Sequence, residues 1–107
     1  MEKLIVRYKV KPGRAEENEE LVRAVYRELK ETGSETFTYA TFKLADGLSF
    51  IHIALNQSDE KNPLSGLSAF KRFQEGIKER CEEPPVATPV TEIGSYGFIF
   101  SAQAKLS

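Results

Sequence analysis

Apolar and polar side chains alternate along the first ten residues, with Leu4, Val6, Tyr8 and Val10 on one side and Arg7 and Lys9 on the other. A period of two is that of a strand with one buried face. Pro12-Gly13 ends the strand by removing a ladder donor and permitting a turn. From about Arg14 to Thr32 the period changes: Leu21, Val25 and Leu29 recur at i, i+4 and i+8, flanked by Val22 and Tyr26, which predicts an amphipathic helix. Glu16, Glu17, Glu19 and Glu20 crowd its start and Arg27 and Lys30 its end, as the macrodipole prefers, and Gly33 suits the position after its last turn. The acidic cluster therefore reads as a solvated helix N-terminus rather than a metal site.

Two strand-like runs follow, Phe37 to Leu44 and Leu48 to Leu55, joined by Ala45-Asp46-Gly47; Asp-Gly between such runs signals a hairpin. A polar stretch, 56–65, punctuated by Asn62-Pro63, predicts a loop. Leu67, Phe70, Phe73, Ile77 and Cys81 then recur at helical spacing, predicting a second helix over about 66–81 that Pro84-Pro85 stops. A last strand is expected from about Thr88 to Phe100, bent at Gly94 and Gly97.

The order β-α-β-β-α-β with right-handed crossovers predicts a ferredoxin-like α+β fold: a four-stranded antiparallel sheet with two helices on one face. On the third strand Ile51, Ile53 and Leu55 form the most apolar row and are expected to face the helices, with Ala40, Phe42 and Leu44 on the second. Phe50, His52, Ala54, Phe37, Tyr39 and Thr41 then join Arg7 and Lys9 on the open face. A face carrying Phe37, Tyr39 and Phe50 is too apolar to leave in water, and a second copy covering it predicts a homodimer.

At 107 residues, 40% hydrophobic and 29% charged, residues 1–107 are expected to form a single domain. Fifteen Lys and Arg against sixteen Asp and Glu leave a net charge of −1, which gives no electrostatic reason for a nucleic-acid or membrane partner. The N-terminus is too short in apolar run and too charged for a signal peptide, so a cytoplasmic location is expected. Cys81 is the only cysteine, which excludes an internal disulfide and a multi-cysteine metal site; it reads as a small buried hydrophobe.

The Lys11-Pro12-Gly13 junction, the Asp46-Gly47 hairpin and the segment Ser68-Ala69-Phe70-Lys71-Arg72-Phe73 resemble the dimeric α+β barrel superfamily, in particular antibiotic-biosynthesis-monooxygenase-like domains, over nearly the whole chain. The resemblance implies a small cofactor-independent monooxygenase acting on aromatic or quinol-like molecules, with no cofactor. The alternative is a non-catalytic dimeric ligand-binding or structural module. The superfamily's haem-degrading branch carries an Asn, a Trp and a His at positions that correspond approximately to Val6, Leu55 and Gln74; all three differ, and the chain has no Trp. Haem degradation is therefore not expected.

Two sets of residues remain as candidates. The sole histidine, His52, with Tyr39 and Arg7, would assemble a general acid or base, a hydroxyl donor and an oxyanion stabiliser if all three share the open face. The same three would equally form a satisfied polar network inside a dimer interface, and parity favours that second reading. Between sheet and helices, where ligand cavities of this superfamily occur, Tyr8, Tyr26, Phe42, Phe70 and Phe73 are the expected lining of an apolar small-molecule pocket, or else simply core. A metal at His52 would need further ligands, and Glu92, expected on the fourth strand, is the only carboxylate to offer; no metal site is expected.

Overall fold

A computed structural model describes residues 2–97. Strand β1 (Glu2–Val10) leads through the Pro12-Gly13 turn into helix α1 (Ala15–Thr32), then come β2 (Phe37–Lys43) and β3 (Ser49–Asn56). A 3₁₀ turn (Pro63–Gly66) opens onto α2 (Ser68–Glu75), the one-turn helix α3 (Ile77–Arg80) and β4 (Cys81–Pro89). The sheet is antiparallel in the order β2-β3-β1-β4, with the helices on one face: the ferredoxin-like arrangement.

Helix α1 ends as its sequence predicts. Gly33 takes the left-handed conformation (φ 67°) and its N–H closes on Leu29 O at 3.1 Å. Its acidic start is neutralised locally: Arg14 pairs with Glu17, Arg23 with Glu19 and Glu20, and Lys43 of β2 reaches Glu19 at 2.9 Å. In the β2–β3 turn Asp46 accepts from the Leu48 and Ser49 N–H groups and from the Ser49 hydroxyl, which holds its carboxyl well below its usual range. Gly47 supplies the positive φ that this turn requires.

The second half departs from expectation. The second helix is shorter and breaks at Gly76, and β4 begins at Cys81, so it contains Pro84-Pro85 instead of following them. Both prolines are tolerated because β4 is an edge strand and its pairing with β1 shifts register between Arg7 and Lys9, where they lie. Glu92 falls beyond β4, accepting from the Ser95 hydroxyl, and is not in the sheet. The C-terminal part of the expected last strand, from residue 98 on, lies outside the described residues.

The expected strand faces are also corrected. Register opposes Val6 to His52 and Tyr8 to Phe50, so the β1 row that faces the helices carries His52, Phe50 and Ala54 with it. Thr41 pairs with His52 and Tyr39 with Ala54, which places Phe37, Tyr39 and Thr41 on the same covered face. Ile51, Ile53 and Leu55 alternate onto the other side, with Arg7, Ala40 and Phe42. The most apolar row of β3 is the one without helices over it. The core on the covered side joins Tyr8, Val10 and Phe50 to Val22 and Val25 of α1 and to Leu64, Leu67, Ala69, Phe73 and Cys81. Cys81 is buried there and its thiol is pushed up by burial, as an inert core residue should be.

Candidate functional site

A cavity of about 290 Å³ lies between the sheet and α2–α3. Leu4, Val6, Ala54, Leu64, Ile77 and Ala87 form apolar wall, Phe70 and Phe73 come from α2, and Tyr8, Tyr39 and His52 meet it from the sheet. Gln74 and Pro85, both exposed, belong to its lining on the side of the β4 edge. Its size is at the small end of ligand pockets, and its lining is of the usual kind: mostly apolar, with a few convergent polar groups.

His52 is 4% exposed, and every polar atom of its ring is engaged. The Tyr8 hydroxyl lies 2.8 Å from Nε2, while the Tyr39 hydroxyl at 2.8 Å and Thr41 Oγ1 at 3.0 Å meet Nδ1. The network extends on both sides. Asn18 Nδ2 donates to the Tyr8 oxygen (2.8 Å), Arg80 Nε donates to Asn18 Oδ1 (3.2 Å), and Arg80 also donates to the Phe73 carbonyl (2.9 Å). On the other side the Tyr26 and Thr41 hydroxyls share a hydrogen bond of 2.8 Å. Stacking holds the rings in place: Tyr8 between Phe50 (5.5 Å) and His52 (5.3 Å), and Tyr39 between Phe37 and Tyr26.

Burial sets the protonation states. With no carboxylate beside it, the imidazole is pushed down to about 4 by desolvation, so it is neutral at neutral pH. Tyr8 and Tyr39 are both pushed well above the usual phenol range by burial, so both keep their protons. Arg80 is 2% exposed; burial lowers its pKa, the Glu17 carboxylate opposes that, and its guanidinium lies over the Phe73 ring at 5.3 Å. Arginine stays charged even so.

The two predicted sets of residues are thus regrouped. His52 and Tyr39 are together, as expected, but inside the cavity rather than on the open face, and Arg7 lies on the opposite side of the sheet with no route to them. Of the expected pocket lining, Tyr8, Phe70 and Phe73 are in place. Phe42 is 56% exposed on the uncovered face, and Tyr26 stands behind Tyr39, lining a shallower groove with Leu29 and Phe37. Asn18 and Arg80 were not anticipated. Asn18 had a signal: it precedes Val22 and Val25 by four and seven residues and so belongs to the buried stripe of α1. Arg80, in a last helical turn where a cation is ordinary, had none. Among the described residues no three His, Cys, Asp or Glu side chains are grouped to hold a metal, and no helix is long and apolar enough to cross a membrane.

No protein-family model and no curated protein sequence matches the chain. Solved structures do. A protein from Nitrosomonas europaea assigned as an antibiotic biosynthesis monooxygenase superimposes with a TM-score of 0.71 at 13% identity, over 89% of this chain and 92% of that one. SnoaB, a cofactor-independent oxygenase from Streptomyces nogalater, superimposes with a TM-score of 0.66 at 12% identity, over 90% of this chain and 96% of that one. The fold is that of the antibiotic-biosynthesis-monooxygenase-like domains. At these identities the likeness is one of fold, and the chemistry has to be read from the cavity.

Proposed function

We propose that this chain forms a homodimer in which each copy binds a small, flat, oxygen-bearing aromatic molecule, and that it oxidises a quinol-type substrate with dioxygen without a metal or organic cofactor. The observation that carries this reading is the cavity itself. An apolar slot lined by Phe70 and Phe73 suits an aromatic body, and the Tyr39–His52–Tyr8 cluster at its wall suits an oxygen substituent. In the reaction, one atom of dioxygen becomes a new ring hydroxyl of the quinol. The other leaves as water with the two hydrogens of the quinol hydroxyls, and the ring, now a hydroxyquinone, has given up four electrons. The site's part is to bind the substrate oxygen through protonated donors, which favours the electron-rich phenolate, and to keep bulk water away.

The test is to incubate the protein with naphthohydroquinone under isotopically labelled dioxygen. One labelled atom in the hydroxynaphthoquinone product, formed faster than in buffer and lost in Tyr39→Phe, is the expected result. Binding of naphthoquinone without label incorporation above the buffer rate would instead support a non-catalytic ligand-binding module. That second reading draws on His52, a weak base whose two ring nitrogens are already occupied within the protein.

The dimer rests on the uncovered face, where Ile5, Ile51 and Ile53 adjoin Phe42 and Val86, the last two 56% and 62% exposed. Apolar surface of this kind favours a partner layer, and the same face of a second copy closes it with two-fold symmetry. Sedimentation of the wild type as a dimer, and of Ile53→Asp as a folded monomer, is expected; a wild-type monomer at micromolar concentration removes the dimer.

A further inference from the structure

The hydrogen bonds around His52 have a direction, and it is set from the Arg80 end. A guanidinium only donates, so Arg80 fixes the Asn18 amide with Oδ1 toward itself and Nδ2 toward Tyr8. The Tyr8 oxygen accepts from Asn18, and its own hydrogen then has one acceptor within reach, His52 Nε2 at 2.8 Å. If Nε2 carried the proton instead, the hydroxyl hydrogen of Tyr8, a residue 2% exposed, would be left buried without an acceptor, the costlier arrangement. The neutral ring therefore holds its hydrogen on Nδ1 and donates it toward the Tyr39 and Thr41 hydroxyls. Tyr39, half-buried at the cavity wall, then receives a hydrogen bond from His52 and has its own hydrogen free.

We infer that Arg80, Asn18, Tyr8, His52 and Tyr39 form a one-way relay whose last member, Tyr39, donates its hydroxyl hydrogen into the cavity, so that the site selects ligands presenting an acceptor oxygen: a quinone carbonyl or a phenolate. This rests on the pocket reading above and changes the roles within it. His52 is a positioning residue, fixed as one tautomer and in no position to take a proton from the ligand. Tyr39 is the group that touches the ligand. The buried charge of Arg80 polarises each link toward the cavity, which strengthens the terminal donor and favours negative charge on its acceptor. The fold makes room for that charge at the α2–α3 break: a Cβ on Gly76 would stand 3.1 Å from the guanidinium. Gly76 therefore belongs to the same device, although it is remote from the ligand.

The chain has a single histidine, so its ring nitrogens give one pair of signals in a ¹⁵N-labelled sample of the whole protein, and their couplings to the two ring C–H protons (both for Nε2, mainly one for Nδ1) tell the nitrogens apart. At neutral pH the wild type is expected to show a protonated Nδ1 and a bare Nε2. Asn18→Asp keeps the shape but replaces the amide donor by an acceptor. Tyr8 then donates to the carboxylate, and its oxygen receives a hydrogen from Nε2. The tautomer should exchange, and Tyr39 should turn its hydrogen back to Nδ1. A protonated Nε2 in the wild type, or the same tautomer in both proteins, overturns the relay. The ligand side is read with two probes. Naphthoquinone should bind about tenfold more weakly to Tyr39→Phe and to Asn18→Asp, while naphthalene, which has no oxygen, should bind all three proteins alike. Equal naphthoquinone affinity across the three overturns Tyr39 as the contact. A wild type that binds neither probe overturns the pocket reading, and with it Tyr39's ligand contact. The tautomer needs neither ligand nor turnover, so a failed relay and a failed oxidase are told apart.

Discussion

The two faces of this sheet invert the usual expectation. The face under the helices carries a histidine, two tyrosines and a threonine, joined to a buried asparagine and arginine, while the face without helices carries the isoleucines of β1 and β3. A polar group can lie under helices when each of its atoms has a partner, and none of the buried side-chain polar atoms described here lacks one. Apolar rank along a strand does not report which face is the interior of the monomer. If two copies pair as proposed, it reports a face that is dry only in the dimer, and both faces are then interior.

Truncations separate the faces most sharply. Phe50, 2% exposed and stacked on Tyr8, has no room to be replaced by solvent, so Phe50→Ala should cost about 3–5 kcal/mol in urea unfolding. Ile53→Ala, on the uncovered face, should cost about 1 kcal/mol when measured in a monomeric background such as one carrying Ile51→Lys. Similar costs for the two would mean that the faces are not energetically distinct.

The next effect belongs to pH. His52 has a folded-state pKa of about 4 against an ordinary value of 6.5, so between those values the unfolded chain binds a proton that the folded chain does not. Stability is then complete above about pH 6.5 and falls as pH drops toward 4, by up to about 3 kcal/mol. The carboxylates held by hydrogen bonds, those of Glu17, Glu19, Glu28 and Asp46, have lowered values and lose their contribution only below the ordinary carboxylate range. The window between pH 6.5 and 4.5 therefore belongs to His52, and His52→Gln should flatten it in thermal melts across that range. A wild type equally stable at both ends would place His52 in a wetter site than the one seen.

Local chemistry was legible in the sequence. The Pro12-Gly13 turn, the Gly33 cap and the Asp46-Gly47 hairpin each act through a conformation that few residues supply, and element order then led to the topology. The hairpin also placed Tyr39 and His52 on one face correctly, because pairing across a short turn is a local matter. What was not legible was how that hairpin seats against β1. This is a long-range choice: alternation alone points to Ile51-x-Ile53 as interior, and the structure puts the row carrying Phe50 and His52 there. The decisive clue sat elsewhere, in Asn18: a polar residue in a buried helical stripe requires polar partners on the strands it covers. Pro84-Pro85 misled for a similar reason, since only the strand order reveals that β4 is an edge.

The smallest expected effect tests the covered face from within. The Tyr26 and Tyr39 hydroxyls both meet the Nδ1 side of the network, Tyr26 through Thr41 and Tyr39 directly. Removing either hydroxyl leaves the imidazole N–H with Thr41 as acceptor, so Tyr26→Phe and Tyr39→Phe should each cost only about 1 kcal/mol of stability. Their effects on ligand binding should differ. Tyr26 stands behind Tyr39 and away from the cavity, so Tyr26→Phe should leave both naphthoquinone affinity and the His52 tautomer unchanged, while Tyr39→Phe should keep the tautomer and weaken the ligand. A tautomer that changes in Tyr26→Phe would mean that the network takes its direction from the outer hydroxyls, and that the buried arginine follows it instead of setting it.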